Sequence, residues 1–142
     1  MDQHKIFVRF SISLMFVVTA LHLTRAPSQA QEVRVPVAHD GVQRAEVILE
    51  SYAFTPNRLI VKKDVPVEFI LKNVAWVVPH NFVLKAPEAG LQIEIDLQPG
   101  ETVSVLFTPR RAGTFKFLCD KKLLFFKSHE EQGMVGTLEV TE

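Results

Sequence analysis

From residue 45 onward the chain is written in short apolar and β-branched runs separated by turn residues. Val65, Val67, Phe69 and Leu71 alternate with Pro66, Glu68 and Ile70. A period of two places alternate side chains on opposite faces, as in a strand with one face against a core. Runs of similar character occupy 46–51, 59–62, 80–84, 91–95, 102–107, 114–119 and 136–140. Phe54-Thr55-Pro56-Asn57, Lys63-Asp64, Lys72-Asn73, Gln98-Pro99-Gly100-Glu101 and Arg111-Ala112-Gly113 punctuate them. About eight strands at this spacing, with no long helical period, predict an all-β antiparallel sandwich or barrel. Residues 31–44 are polar and weakly periodic, and read as an N-terminal arm, either loose or an edge strand. The domain proper is expected over residues 45–142.

The first thirty residues have a different grammar. Lys5 and Arg9 lead into a mostly apolar run over residues 10–23, and Ser28-Gln29-Ala30 supplies small residues at the positions a signal peptidase reads. Residues 1–30 are therefore expected to be a signal peptide cut after Ala30. The apolar run falls short of the roughly 20 residues needed to span a bilayer, so no membrane insertion is expected after cleavage. The product would be exported, periplasmic or otherwise extracytoplasmic. His4 and His22 leave with the leader. The remaining 112 residues suit one domain, which buries about two-thirds of the surface its unfolded chain exposes. That remainder carries 13 basic and 15 acidic side chains and no basic stripe, so nucleic acid is not an expected partner.

One cysteine, Cys119, occurs in the whole chain. It cannot form an internal disulfide, and an exported free thiol calls for an occupant such as a metal. In the strand predicted over 114–119, Phe115, Phe117 and Cys119 share one face while Lys116 points away. The thiol thus faces the core at a strand end, where it is either filler or a rigidly held ligand. His80 lies upstream, and His129 and Met134 follow before a closing apolar run. Two imidazoles and a thiolate hold copper in a trigonal plane, with a methionine as a weak, long axial ligand. Taken singly, each of the four residues is more often packing or a hydrogen-bonded structural group. Their order is what makes them a copper set.

The text around them resembles the cupredoxin, or blue-copper, family: Phe54-Thr55-Pro56, Pro79-His80-Asn81-Phe82, Gln98-Pro99-Gly100-Glu101-Thr102 and the run from Gly113 to Cys119. The resemblance covers residues 45–141. It implies a Greek-key β-sandwich holding one copper ion through His80, Cys119 and His129, with Met134 axial. It also implies that Asn81 ties the ligand loops together by hydrogen bonds, with Asp120 as a further participant. Gly133 and Gly136 are expected to make a tight turn into the last strand. One departure stands out. Small cupredoxins have two to four residues between the cysteine and the second histidine, whereas nine stand here, Asp120 to Ser128. The binuclear centre of cytochrome oxidase subunit II also has a long loop, but it needs a second cysteine where this chain has Leu123, which excludes a thiolate-bridged pair. Glu130 or Glu131 is the alternative to Met134 as fourth ligand.

A site whose positions are all filled by protein leaves none for substrate. The chain shows no second histidine cluster, nucleophile–base pair or Gly-rich phosphate loop, so no enzymatic activity is expected. The reading is a monomeric electron shuttle between redox partner proteins, with copper cycling between Cu(I) and Cu(II). The alternatives are a copper carrier or delivery protein, which would favour a Met- or His-rich tract that this chain lacks, and a metal-free sandwich that binds another protein. Leu123-Leu124-Phe125-Phe126, flanked by Lys121, Lys122 and Lys127, are expected to form the docking face; the alternative is a lid packed over the copper loop.

Overall fold

The computed structural model describes residues 31–142. The expected signal peptide lies outside the described residues. Ten strands form two sheets: β1 Glu32–Arg34, β2 Gln43–Glu50, β3 Ala53–Thr55, β4 Arg58–Lys62, β5 Val67–Asn73, β6 His80–Ala86, β7 Leu91–Leu97, β8 Thr102–Phe107, β9 Gly113–Leu118 and β10 Val135–Thr141. One sheet runs β1-β4-β10-β9-β6-β7 and the other β3-β2-β5-β8. Eight of the ten correspond to the runs read from the sequence. The two additions, β1 and β3, are three residues long, too short to show a period.

Pairing direction departs from the expectation. β4 runs parallel to both β1 and β10, and β2 runs parallel to β5, so both sheets are mixed rather than antiparallel. Alternation determines which face of a strand is buried but carries no information about the direction of its neighbour. Residues 31–44 supply an edge strand, one of the two readings given to them, and part of this segment joins the packed unit. β1 pairs with the edge of β4, and Val35 enters the core. Gln43 is fully buried, its side chain accepting from the Lys62 N–H at 2.8 Å and donating to the Lys62 carbonyl at 3.3 Å. That paired amide explains how a polar residue of the supposed arm sits inside.

The core is aromatic where the sheets face each other. Phe82 stacks on Phe117 at 4.9 Å, and Phe54 meets Phe117 edge-on at 5.1 Å. All three belong to the same buried cluster as Cys119 and Met134. The end of the sandwich that carries those two residues is therefore built on rigid packing.

Candidate metal centre

Three segments converge at one end of the sandwich. His80 opens β6, opposite Leu97 of β7. Cys119 follows the last residue of β9, on the face that also buries Phe117. His129 caps a short 3-10 turn, Glu130–Gln132, that leads into β10. His80 and Cys119 are buried and His129 is 7% exposed. The Nδ1 atoms of the two histidines are 3.1 Å apart. The Cys119 Sγ is 3.3 Å from the Nδ1 of His129 and 3.9 Å from that of His80. These spacings let one first-row metal ion reach all three atoms at about 2.0 Å from each nitrogen and about 2.3 Å from the sulfur, the usual bonds to imidazole and thiolate. Two imidazoles and a thiol thus surround one metal-sized point, and this donor set fits copper.

The nine-residue stretch after Cys119 does not push the ligands apart. The His129 N–H donates to the Lys121 carbonyl at 2.8 Å, which pinches off residues 122–128 as an outer excursion. Met134 closes the other side: its N–H donates to the His129 carbonyl at 2.9 Å, and its own carbonyl accepts from the Cys119 N–H at 3.1 Å. Met134 is fully buried. Glu130 instead meets the Lys116 ammonium at 2.6 Å, and Glu131 accepts from the Ser128 N–H at 2.6 Å.

Asn81 staples the early loop to the late one. Its side chain donates to an Asp120 carboxylate oxygen at 2.7 Å and accepts from the Asp120 N–H at 3.0 Å. Its backbone N–H points at the Cys119 Sγ, 3.3 Å away. Outer hydrogen bonds of this type hold ligands in orientation and tune a metal.

Two supports were not read from the sequence. Asn73, taken there as a turn residue, is fully buried and donates to the carbonyls of Val78 and Leu97 at 3.0 and 3.1 Å. Its side-chain oxygen accepts from the Ala75 N–H at 3.0 Å, so it braces the loop that delivers His80. Tyr52 meets His129 edge-on at 4.8 Å and His80 at 6.4 Å. It sits there because Ser51 and Tyr52 both have positive φ, 48° and 61°, and form the two-residue turn between β2 and β3. Such turns favour Asn and Gly, so Ser-Tyr carries no recognisable signature. Gly136 has a different reason from the one expected. Gly133 takes the left-handed φ of 98° that the turn requires, whereas Gly136 lies within β10 against the Phe117 ring.

Burial, and secondarily the neighbouring His129, lowers the His80 pKa to about 4. Burial, helped by Lys121, lowers His129 as well, while burial raises the Cys119 thiol above its usual range. At pH 7 both imidazoles are therefore neutral and the thiol is protonated. Metal uptake at pH 7 is expected to release one proton, from Cys119. Calorimetry in buffers of differing ionisation enthalpy counts it; release of two or more protons would contradict this arrangement. The sign for the metal-free fold follows from the same shifts. Between pH 6.5 and about 4 the unfolded chain binds a proton at His80 that the folded chain refuses, so stability falls as pH falls through that window.

A mixed-sheet sandwich with a buried His–Cys–His cluster at one end defines a class. The cupredoxin-like domain family matches residues 11–135, and the chain belongs to that family. Among solved structures it resembles auracyanin A, a "blue" copper protein from Chloroflexus aurantiacus, with 26% identity and a TM-score of 0.55 over 71% of this chain and 100% of that one. It also resembles the dithionite-reduced auracyanin of Roseiflexus castenholzii, with 21% identity and a TM-score of 0.57 over 70% and 97% of the two chains. The metal-binding domain of the Streptococcus pneumoniae D39 Cu(I)-exporting P-type ATPase CopA, with Cu(I), shares the fold at 17% identity and a TM-score of 0.60, over 80% and 98%. No curated protein matches the chain.

Proposed function

We propose that this protein is a mononuclear blue-copper electron carrier. The observation that supports it is the triangle of Nδ1, Nδ1 and Sγ atoms around one metal-sized point in a buried pocket. His80, Cys119 and His129 would hold the metal, with Met134 as the fourth ligand. The engagement of Glu130 with Lys116 and of Glu131 with Ser128 favours methionine over glutamate. Copper in such a set supplies one-electron chemistry with little rearrangement between oxidation states. The protein contributes the rigidity. β9, β10 and the Asn81–Asp120 staple hold the donors in place whichever charge they carry. Tyr52 and the burial of all three donors keep bulk water off them.

His129 is the donor nearest the surface, and it opens into a cleft lined by Tyr52, Leu123, Phe126, Lys127 and Gln132. Electron exchange with redox partners takes place through this edge. Export to an extracytoplasmic compartment rests on the leader composition and on the lone thiol, which a bound metal would protect. Among the described residues no helix is long and apolar enough to cross a membrane.

Copper retention separates a shuttle from a delivery protein. Repeated oxidation and reduction against a moderate chelator is expected to leave the copper in place. Loss of copper within a few cycles would favour the delivery reading instead.

A further inference from the structure

The excursion over residues 122–128 does not pack as a lid. Leu123, Leu124, Phe125 and Phe126 are 65%, 75%, 85% and 57% exposed. The Phe126 N–H donates to the Leu123 carbonyl at 3.0 Å, so a tight turn carries Leu124 and Phe125 at its corners. Leu124 has a φ of 48°, a left-handed conformation that favours glycine. A leucine held in that conformation while three-quarters exposed has little packing reason to be there, and such outliers cluster at functional positions. Across the cleft, the loop before β6 presents Trp76 at 96% exposure and Val77 at 77%. Val77, Leu123 and His129 line one continuous groove between the two loops.

We infer that these two loop tips dock the copper-bearing end of the protein onto an anionic lipid surface. The side chains project from two separate loop tips, with the Phe125 and Phe126 rings in contact at a centroid distance of 5.0 Å. A protein partner would need a matching set of holes, whereas a fluid headgroup layer accepts projecting side chains of any outline. Tryptophan is enriched at that depth of a membrane. The charge agrees. Neither Lys122 nor Lys127 has an ion-pair partner among the described residues. At the 122–128 tip the two outnumber Glu131, a carboxylate that feels their charge, whereas Glu50 lies beside Trp76 at the other tip. Basic residues beside an apolar tip strengthen attachment to anionic lipid. The protein would lie on the membrane without spanning it. The lipid contact stands apart from the copper reading; only its consequence, that the His129 edge meets membrane-held redox partners, rests on it.

Trp76 is the only tryptophan in the chain and reports the contact directly. The full mature protein, metal-free, is titrated with vesicles of phosphatidylcholine mixed with phosphatidylglycerol and with vesicles of phosphatidylcholine alone. Trp76 emission is expected to shift to the blue with the anionic vesicles, and the protein to co-sediment with them. Lys122→Glu with Lys127→Glu should weaken that binding about tenfold or more, and added salt should weaken it too. Leu124→Ser with Phe125→Ser should abolish co-sedimentation while leaving the thermal melt unchanged. No emission shift with anionic vesicles, or binding indifferent to these substitutions, would overturn the inference. So would a double-serine variant that slows electron transfer to a soluble redox protein when the parent binds no vesicle, since the tips would then be a protein-docking face. A copper spectrum of each variant keeps failure of this inference distinct from failure of the copper site.

Discussion

Cys119→Ser is expected to give a folded sandwich with no intense visible absorption and greatly weakened copper binding. The band would arise from charge transfer between the thiolate and Cu(II), and a serine hydroxyl has no comparable soft donor orbital. Copper affinity should fall by more than the roughly 10- to 100-fold that loss of an outer hydrogen-bond partner costs. The fold should survive because the replacement is nearly isosteric and its oxygen can accept the Asn81 N–H that now points at Sγ. Burying a hydroxyl at this position costs about 1–3 kcal/mol at most. Absorption, copper titration and a thermal melt test the three parts separately. A band that persists in the variant would show that the thiolate is not a ligand.

Gly136→Ala is expected to be the most damaging small substitution near the site. A Cβ there would overlap the Cζ and Cε2 atoms of Phe117 and press on the Asn57 carbonyl oxygen at 2.8 Å. The ring cannot yield, because Phe82 stacks on one side and Phe54 abuts it edge-on. The carbonyl cannot yield without losing the hydrogen bond it accepts from the Thr137 N–H at 2.8 Å. Overpacking of this type costs about 3 kcal/mol, a fall in Tm of roughly 10–20 °C for a domain of this size. Gly133→Ala is the control. Nothing lies within 4 Å of its added Cβ, so its cost is the left-handed backbone alone, about 1–2 kcal/mol. Equal losses at the two glycines would contradict the packing described.

The same pair shows what the amino-acid order reveals and what it hides. Both glycines flank Met134, and both invite a turn explanation. Only Gly133 has one; the role of Gly136 depends on a phenylalanine brought next to it by the pairing of β9 with β10. Alternation exposed strands such as β2, β5 and β7, which have a buried and a wetter face, whereas β4 and β6 are buried on both faces and showed only as short apolar runs between turn residues. It could not expose the parallel pairing of β4 with β10, which side-chain period does not encode. The proposed donors His80, Cys119 and His129 could be picked out because their chemistry is rare and their order along the chain is informative, and the fold brings the three together. The long Cys119–His129 stretch departs from the family's spacing, and residue types do not show how the fold accommodates it. A single backbone hydrogen bond, His129 N–H to the Lys121 carbonyl, turns it into an excursion, and backbone bonds leave no trace in residue type. Asn73 was hidden for a related reason. An asparagine after a strand reads as a turn, and only the folded chain shows it buried with its side chain bonded to three backbone groups.

The central claim is that Cys119, His80 and His129 hold one copper ion in a closed site. Its most direct test is the combined visible and electron paramagnetic resonance spectrum of the mature protein with one equivalent of Cu(II). An intense visible thiolate-to-copper band, with an unusually small copper hyperfine splitting and a stoichiometry of one, is the predicted result. A weak visible spectrum with the wide splitting of ordinary tetragonal Cu(II) would contradict it.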